Sequence, residues 1–598
     1  MKNKKLILYL LALVLCISLL PMGAFAEEAV METAKADHRE NRPAAGTTVA
    51  QPFPKDTAGS ASFRIPGLVT LSDGTLLAYA DARWNTTYDG GGLDTIRSIS
   101  TDNGANWSYD FVNYLGDNGN VYGADSSCFI DPSAAVKVID GTETIFMICD
   151  LYPHGVALNG NKKTAPMKAK GVDGSKLLLT DEDNAKESIK DDGSRAFNEK
   201  EYNYYIDLSA DEYVIKSLAD DTPVNGYTID KHFNITGNDG TNTNLFFSDS
   251  PYMVQRTSYI YLVKSTDGGK TWSDPELLPV KNDTEMAYLV APSRGLVTSD
   301  GVIVFPCYSY NGSQSSQKES FIYSADDGKT WNRTEDMPIG DVTWCSESVA
   351  VEIADGVLRL FFRTGTKCLT YADYTYSAGN IGGGQWSEPV RLESVATNSN
   401  CQISAIRYSG TIDGKTVILV SCPTGPDEAG SDNNAGGADG FRKNGKIFVL
   451  TADDKDAHTM TKIAAIDVSG TEMDDDEFMY SSLTELSDGR VGLLYEDLQI
   501  GWGAGENTYY SMTFKAFELD EIGFDADEEP IEEEPEEEPD DTQAPTENEP
   551  SEKTPNTDGA TESDGSSASS AVIWIVIAAV VVLCICCAVV LIIKSKRK

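Results

Sequence analysis

From Pro52 to about Leu519 the chain is built of short apolar or alternating runs separated by Asp-Gly, Asn-Gly and Gly-Gly turns. SDGTLLAYAD (72–81), TSDGVIVFPCY (298–308), IADGVLRLFFRTG (353–365), GKTVILVSCP (414–423) and SDGRVGLLYE (487–496) are examples. Runs of this length with a period of two predict strands, and the turn dipeptides between them predict hairpins. Amphipathic helical periodicity is weak throughout. Many short hairpins with internal repeats point to radially repeated sheets, an all-β propeller. The pattern breaks between His154 and Phe247, which is rich in Lys, Asp, Asn and Tyr but holds strand-like pieces such as YNYYIDL and DEYVIKSL. A loop that long needs structure of its own, so residues 154–247 are expected to form a small β-rich inserted domain.

The repeats themselves are Ser100-Thr-Asp-Asn-Gly-Ala-Asn-Trp107, Ser265-Thr-Asp-Gly-Gly-Lys-Thr-Trp272 and Ser324-Ala-Asp-Asp-Gly-Lys-Thr-Trp331. Their carboxylates and glycines look catalytic, but Asp and Gly suit a tight turn and a Trp can pack beneath it. They are assigned no chemistry. Ahead of them lies Phe63-Arg64-Ile65-Pro66, which taken alone reads as an edge strand ending in a proline. Together, an FRIP segment and repeated S-x-D-x-G-x-T-W boxes resemble the bacterial sialidases. That resemblance implies a propeller of six four-stranded blades, over residues 51–153 and 248–519.

Composition and charge frame the rest. The chain has 598 residues and a net charge of -45, which makes nucleic acid an improbable partner. Much of the negative charge lies between Asp525 and Asp541, in a Pro-, Asp- and Glu-rich run that cannot bury enough apolar surface to fold. Residues 520–570 therefore predict an acidic disordered stalk. Residues 1–26 have a basic start, an apolar stretch and Ala24-Phe25-Ala26, the pattern of a secretory signal peptide. A polar segment, 27–50, follows it. Ala571–Ile593 is uncharged and long enough to span a bilayer as a helix, and the basic tail 594–598 should remain cytoplasmic. The expectation is a cell-surface protein, its globular domain outside and its anchor at the C-terminus. The four histidines and seven non-terminal cysteines show no ligand spacing, so no metal and no organic cofactor is expected.

Sialic acid carries a carboxylate on its anomeric carbon, and planar guanidinium groups match a carboxylate with paired hydrogen bonds. The resemblance implies three such arginines: Arg64 of FRIP, Arg363 of RLFFRTG and Arg442 of GFRKNGKIFVL. It also implies a tyrosine nucleophile, Tyr480 in EFMYSSLTEL, with Glu347 in CSESVAVEI as its base. A neutral tyrosine avoids the repulsion that a carboxylate nucleophile would meet from the substrate carboxylate. Asp89 in DARWNTTYDGGG matches the acid/base, with Asp81 and Asp94 as nearby rivals. Arg83 and Asp131 resemble residues that contact the sugar's O4 and N-acetyl region, and Glu496 the glutamate that holds the first arginine. Tyr308 and Phe305 are candidates for lining the glycerol side.

The implied activity is an exo-α-sialidase that releases terminal sialic acids from glycoproteins, glycolipids and oligosaccharides with retention of configuration. An intramolecular trans-sialidase would use the same residues. A surface adhesin that binds sialylated glycans without cleaving them would fit the anchor and stalk equally well, but has no use for an activated nucleophile.

Overall fold

A computed structural model describes residues 38–518, apart from 85–86, 117–125, 159–165, 182–187, 190–194, 197–201, 398–399, 426–441, 454–455, 469–476 and 501–507. The expected signal peptide, stalk, membrane helix and basic tail lie outside the described residues. Among those residues the fold is all-β, and the only helices are 3-10 turns at His38–Asn41, Thr57–Gly59 and Gln314–Ser316. No helix among them is long and apolar enough to cross a membrane, and they hold no cluster of His, Cys, Asp and Glu that could hold a metal ion.

The sheets are mainly antiparallel hairpins in chain order. The first links Ser62–Thr70, Leu76–Arg83, Leu93–Ser100 and Asn106–Asn113 with Cys128–Ile139, Thr142–Tyr152 and Tyr259–Ser265. Smaller sheets follow: one centred on Ile303–Tyr310, one running from Ser346–Ala354 to Asn380–Trp386, one from Ser404–Ile412 to Asp456–Asp467, and one of Ser481–Glu485, Val491–Ile500 and Tyr509–Phe517. The first and last sheets meet. Ser62 Oγ accepts from the Tyr510 amide at 2.9 Å, Ser482 Oγ accepts from the Leu68 amide at 3.0 Å, and the Gln51 side chain brackets the Phe514 backbone. Segments 69–70, 134–136, 294–297, 350–352, 405–407 and 484–485 line one cavity. All seven cysteines of the described region are buried and unpaired by disulfides, as expected of small hydrophobes.

The Asp boxes are turn devices. In each, the box serine hydroxyl accepts from the glycine amide (2.9, 2.9 and 2.8 Å) and donates to the box aspartate (2.9 Å in all three). The same carboxylate accepts from the amide four residues on in all three boxes. Burial pushes Asp326 up, but these hydrogen bonds, led by those from Thr330, outweigh it and hold the acid at about 2. The glycines are obligatory here: Gly104 and Gly328 have φ of 89° and 76°, and an added Cβ would lie 2.2 Å from Phe514 and 2.3 Å from Phe146.

Within the interruption, Lys176–Asp181 is flanked by Tyr204–Asp207 and by Tyr252–Val254, a strand drawn from beyond residue 247. Tyr227–Ile229, Asn234–Gly237 and Asn242–Asn244 form a second small sheet. Leu177, Leu179, Ile206 and Phe233 pack in one core with Phe129, Leu151 and Tyr261 of the first large sheet.

Candidate active site

Four strand irregularities build the site. The pairing register shifts between Arg64 and Gly67, between Ile130 and Ser133, between Ser346 and Ser348, and between Glu496 and Leu498. Bulges re-aim side chains that a regular pleat would send elsewhere. At three of them a non-glycine residue takes left-handed backbone: Ile65 (φ 63°), Asp131 (φ 61°) and Glu347 (φ 44°). That conformation is costly for a β-branched residue such as Ile65, and strain of this kind collects at functional sites.

Arg64 is the hub. Its Nε and Nη2 donate to the two oxygens of Glu496 at 3.0 and 3.2 Å, and Nη1 donates to Asp89 at 3.2 Å. Glu496 is fully buried and also accepts from the Ile65 amide at 2.9 Å. Burial alone would lower the Arg64 pKa, but Glu496, Tyr510 and Asp89 outweigh it and raise it well above the usual value. The guanidinium lies over the rings of Tyr480 (4.8 Å) and Tyr510 (4.4 Å).

On the other side, the Tyr480 hydroxyl donates in a short hydrogen bond to Glu347 and accepts from Arg363 Nη1 at 2.8 Å. Arg363 Nη1 also reaches Glu347 at 2.6 Å. Burial, with Glu347 adding to it, pushes the Tyr480 phenol well above its ordinary value, while Arg363, Arg442 and Arg64 pull against that. Tyr480 is therefore neutral in the resting protein, with a carboxylate placed to take its proton. Arg442 lies 5.2 Å from the Tyr480 ring and has no carboxylate partner among the described residues.

Asp89 stands on the turn between Leu76–Arg83 and Leu93–Ser100, ahead of Gly90 and Gly91, whose φ values are 155° and 102°. Its carboxylate accepts from Arg83 Nη1 at 2.9 Å as well as from Arg64. Burial pushes its pKa up, but Arg83 and Arg64 outweigh that and hold it below the usual carboxylate value. Of its rivals, Asp81 is fully buried and accepts from Arg83 Nη2 at 2.9 Å. Burial raises Asp81 to about 7 despite the opposing Arg83. Asp94 accepts from Trp84 Nε1 and the Leu115 amide, so it braces the turn. Asp131 is partly exposed, and its amide donates to Asp81 at 3.2 Å. Burial, Asp81 and Asp150 push its pKa well above the usual carboxylate value.

The nine residues given catalytic, substrate-holding or arginine-holding roles from the sequence (Arg64, Arg83, Asp89, Asp131, Glu347, Arg363, Arg442, Tyr480 and Glu496) therefore fall in one connected cluster. Phe305 does not join it. It is fully buried and packs with Trp331 in the core, because it stands an odd number of positions from Tyr308 and faces the other side of the strand. Tyr308 packs with Tyr152 and Ile130 beside the site. Two members were missed. Tyr510 is one, stacking on Arg64. Asn400 is the other: its side-chain oxygen accepts from Arg363 Nε at 2.5 Å and its main-chain oxygen from Arg442 Nη2 at 3.1 Å. It braces two arginines at once, and no spacing in SNCQ announces it.

Known proteins match this arrangement. Residues 231–493 match the family described as BNR repeat-like domain. The anhydrosialidase of Macrobdella decora is 31% identical over 499 residues, covering 75% of this chain and 60% of its own. Sialidase B of Streptococcus pneumoniae is 28% identical, covering 75% and 63%. The chain thus spans about three fifths of the length of these curated relatives. Among solved structures, the intramolecular trans-sialidase from Ruminococcus gnavus, in complex with oseltamivir carboxylate, aligns with a TM-score of 0.61 at 26% identity, over 78% of this chain and 96% of that one. The leech intramolecular trans-sialidase complexed with 2,7-anhydro-Neu5Ac gives 0.61 at 25% identity, over 80% and 71%. In motifs, fold and relatives the chain is similar to bacterial-type sialidases with BNR repeats.

Proposed function

We propose that the protein is an exo-acting sialidase that cleaves terminal sialic acids from glycans with retention of configuration, using Tyr480 as nucleophile. The observation that carries this reading is the Tyr480 hydroxyl held between Glu347 and Arg363, with Arg64 and Arg442 against its ring. Arg64, Arg363 and Arg442 take the substrate carboxylate, Arg442 with its charge still unspent. Glu347 draws the proton from Tyr480 as its oxygen attacks C2, and Asp89 protonates the departing glycosidic oxygen. Arg83 and Asp131 position the O4 and N-acetyl side. A module that only bound glycans would gain nothing from the Tyr480–Glu347 pair. The convergence of six chain segments on one cavity supports reading the sheets as six blades.

A second reading concerns the product. The relatives named as anhydrosialidase and intramolecular trans-sialidase favour attack on the Tyr480-bound sugar by its own O7 hydroxyl, which would give up its proton to Asp89 and leave a 2,7-anhydro sugar. Water in the same position would give free sialic acid. NMR of the products from a sialyllactose decides between these routes, and absence of any released sialic acid derivative would contradict the cleavage reading itself.

Asp89 makes a signed pH prediction. An acid must be protonated to work, and in the free protein Arg83 and Arg64 keep Asp89 ionised. A bound substrate carboxylate neutralises that charge and displaces Asp89 from Arg64, so its pKa rises in the complex. The alkaline limb of kcat should therefore lie at higher pH than that of kcat/KM. Coincident limbs would contradict this role. We further infer from the sequence that the domain is displayed at the cell surface, anchored through 571–593. Truncation before Ala571 should release active protein into the medium; retention of the truncated form in the membrane fraction would refute the anchor.

A further inference from the structure

The cavity shared by six chain segments opens a second question. It encloses about 410 Å³ between those segments. Ser62–Thr70, Cys128–Ile139 and Ser346–Ala354 each carry a residue of the candidate active site towards one end and cavity-lining residues towards the other. Three to five residues of extended chain put roughly 10–15 Å between the two.

Two arginines line this cavity, Arg294 and Arg407. Arg294 donates from Nη1 to the Leu483 carbonyl at 3.0 Å and pairs with no carboxylate among the described residues. Burial pulls its pKa below the usual guanidinium value, opposed by nothing stronger than the Tyr79 phenol. Arg407 donates to the Glu352 main-chain carbonyl at 3.2 Å and forms no ion pair among the described residues. The two acids of the cavity wall are already engaged. Glu352 accepts from the Ser299 amide and hydroxyl at 2.6 and 2.9 Å, and Glu485 accepts from the amide and hydroxyl of Ser409. In a chain with 93 acidic and 48 basic residues, carboxylates to pair with these arginines are not scarce. Neither arginine pairs with one among the described residues, although Arg407 is exposed and Glu352 and Glu485 line the same cavity. Arg442 is a comparable case among the described residues, and the proposed function reserves its charge for a substrate carboxylate.

We propose that this cavity is a second anion site, separate from the candidate active site, that takes a small oxyanion, phosphate or carboxylate, on the free donors of Arg294 with Arg407 contributing charge. The volume holds such an ion with several waters. The planar fork of arginine suits an oxyanion better than a halide.

The test is calorimetric titration of the full chain with inorganic phosphate and, separately, with acetate at constant ionic strength. Because phosphate could also enter the arginine cluster at Tyr480, Arg442→Ala and Arg294→Gln are titrated beside the unaltered protein. The expected result is a saturable site that Arg442→Ala retains and Arg294→Gln weakens tenfold or more, with Arg407→Gln weakening it less. The stronger of the two probes identifies the natural ligand as phosphate- or carboxylate-bearing. Should Arg294→Gln not fold, crystals of the unaltered protein soaked in selenate should show anomalous density beside Arg294. Undiminished binding in Arg294→Gln, loss confined to Arg442→Ala, no saturable binding, or no selenate beside Arg294 would overturn the site. None of these outcomes depends on sialic acid cleavage, so the two readings fail separately.

Discussion

Tyr480→Phe should leave the fold intact and reduce turnover by roughly 10³-fold or more. The change removes one oxygen and keeps the ring that packs against Arg64 and Arg442. The lost oxygen is the one that would form the covalent bond, and removing a nucleophile costs most of what the catalytic unit provides. Glu347→Gln should fall comparably, because it accepts the hydrogen bond of that same hydroxyl. The double variant should be little worse than either single one, since groups acting as a unit are not additive. Steady-state kinetics on a natural sialoside, with a thermal melt as control, checks all three. A double variant that multiplied the two losses would mean that Tyr480 and Glu347 act in separate steps.

The second large effect is expected at Arg442. It is buried against the Tyr480 ring with only the Asn400 carbonyl as a described hydrogen-bond partner. Among the described residues it forms no ion pair, which leaves its fork open to a substrate carboxylate. Arg442→Ala should reduce kcat/KM by about 2–4 kcal/mol, some 30- to 1,000-fold, the cost of leaving one side of a desolvated charge pair unmet. Both KM and kcat should suffer, because the carboxylate must be held in the ground state and in the transition state. Arg442→Lys should recover little, since an ammonium lacks the guanidinium's planar fork. Kinetics unchanged within error would take Arg442 out of the site.

The parts of this account legible in the sequence are those with a local signature. Period-two runs and Asp-Gly turns announced the hairpins, and the box aspartates proved to be turn residues, as their Ser, Gly and Thr neighbours implied. The arginines could be singled out because each sits in a distinctive local string. The bulges could not. Nothing in Phe63-Arg64-Ile65-Pro66 forces isoleucine into left-handed backbone. That strain is sustained by contacts with Glu496, 431 residues away. The Tyr480–Glu347 hydrogen bond spans 133 residues, and the Arg64–Glu496 pair spans 432. Such partners follow from the closure of the first sheet on the last, which a linear pattern does not encode. Asn400 was invisible for a similar reason: half of its work is done by a main-chain carbonyl, which every residue has. Phe305 misled because composition does not say which side of a strand faces the site.

Asp81 and Asp131 show the same limit electrostatically. As residues of a strongly acidic chain they read as charges. In the fold, burial lifts Asp81 to about 7, and burial with the neighbouring acids raises Asp131 well above the usual carboxylate value.

The central claim is that Tyr480 attacks the anomeric carbon, and one measurement tests it most directly. A sialoside fluorinated at C3 with a good leaving group should form the covalent intermediate quickly and release it slowly. Proteolysis and mass mapping of the trapped protein should place the added sugar on the peptide containing Tyr480, and Tyr480→Phe should give no adduct. An adduct on any other residue, or full turnover in Tyr480→Phe, would contradict the account.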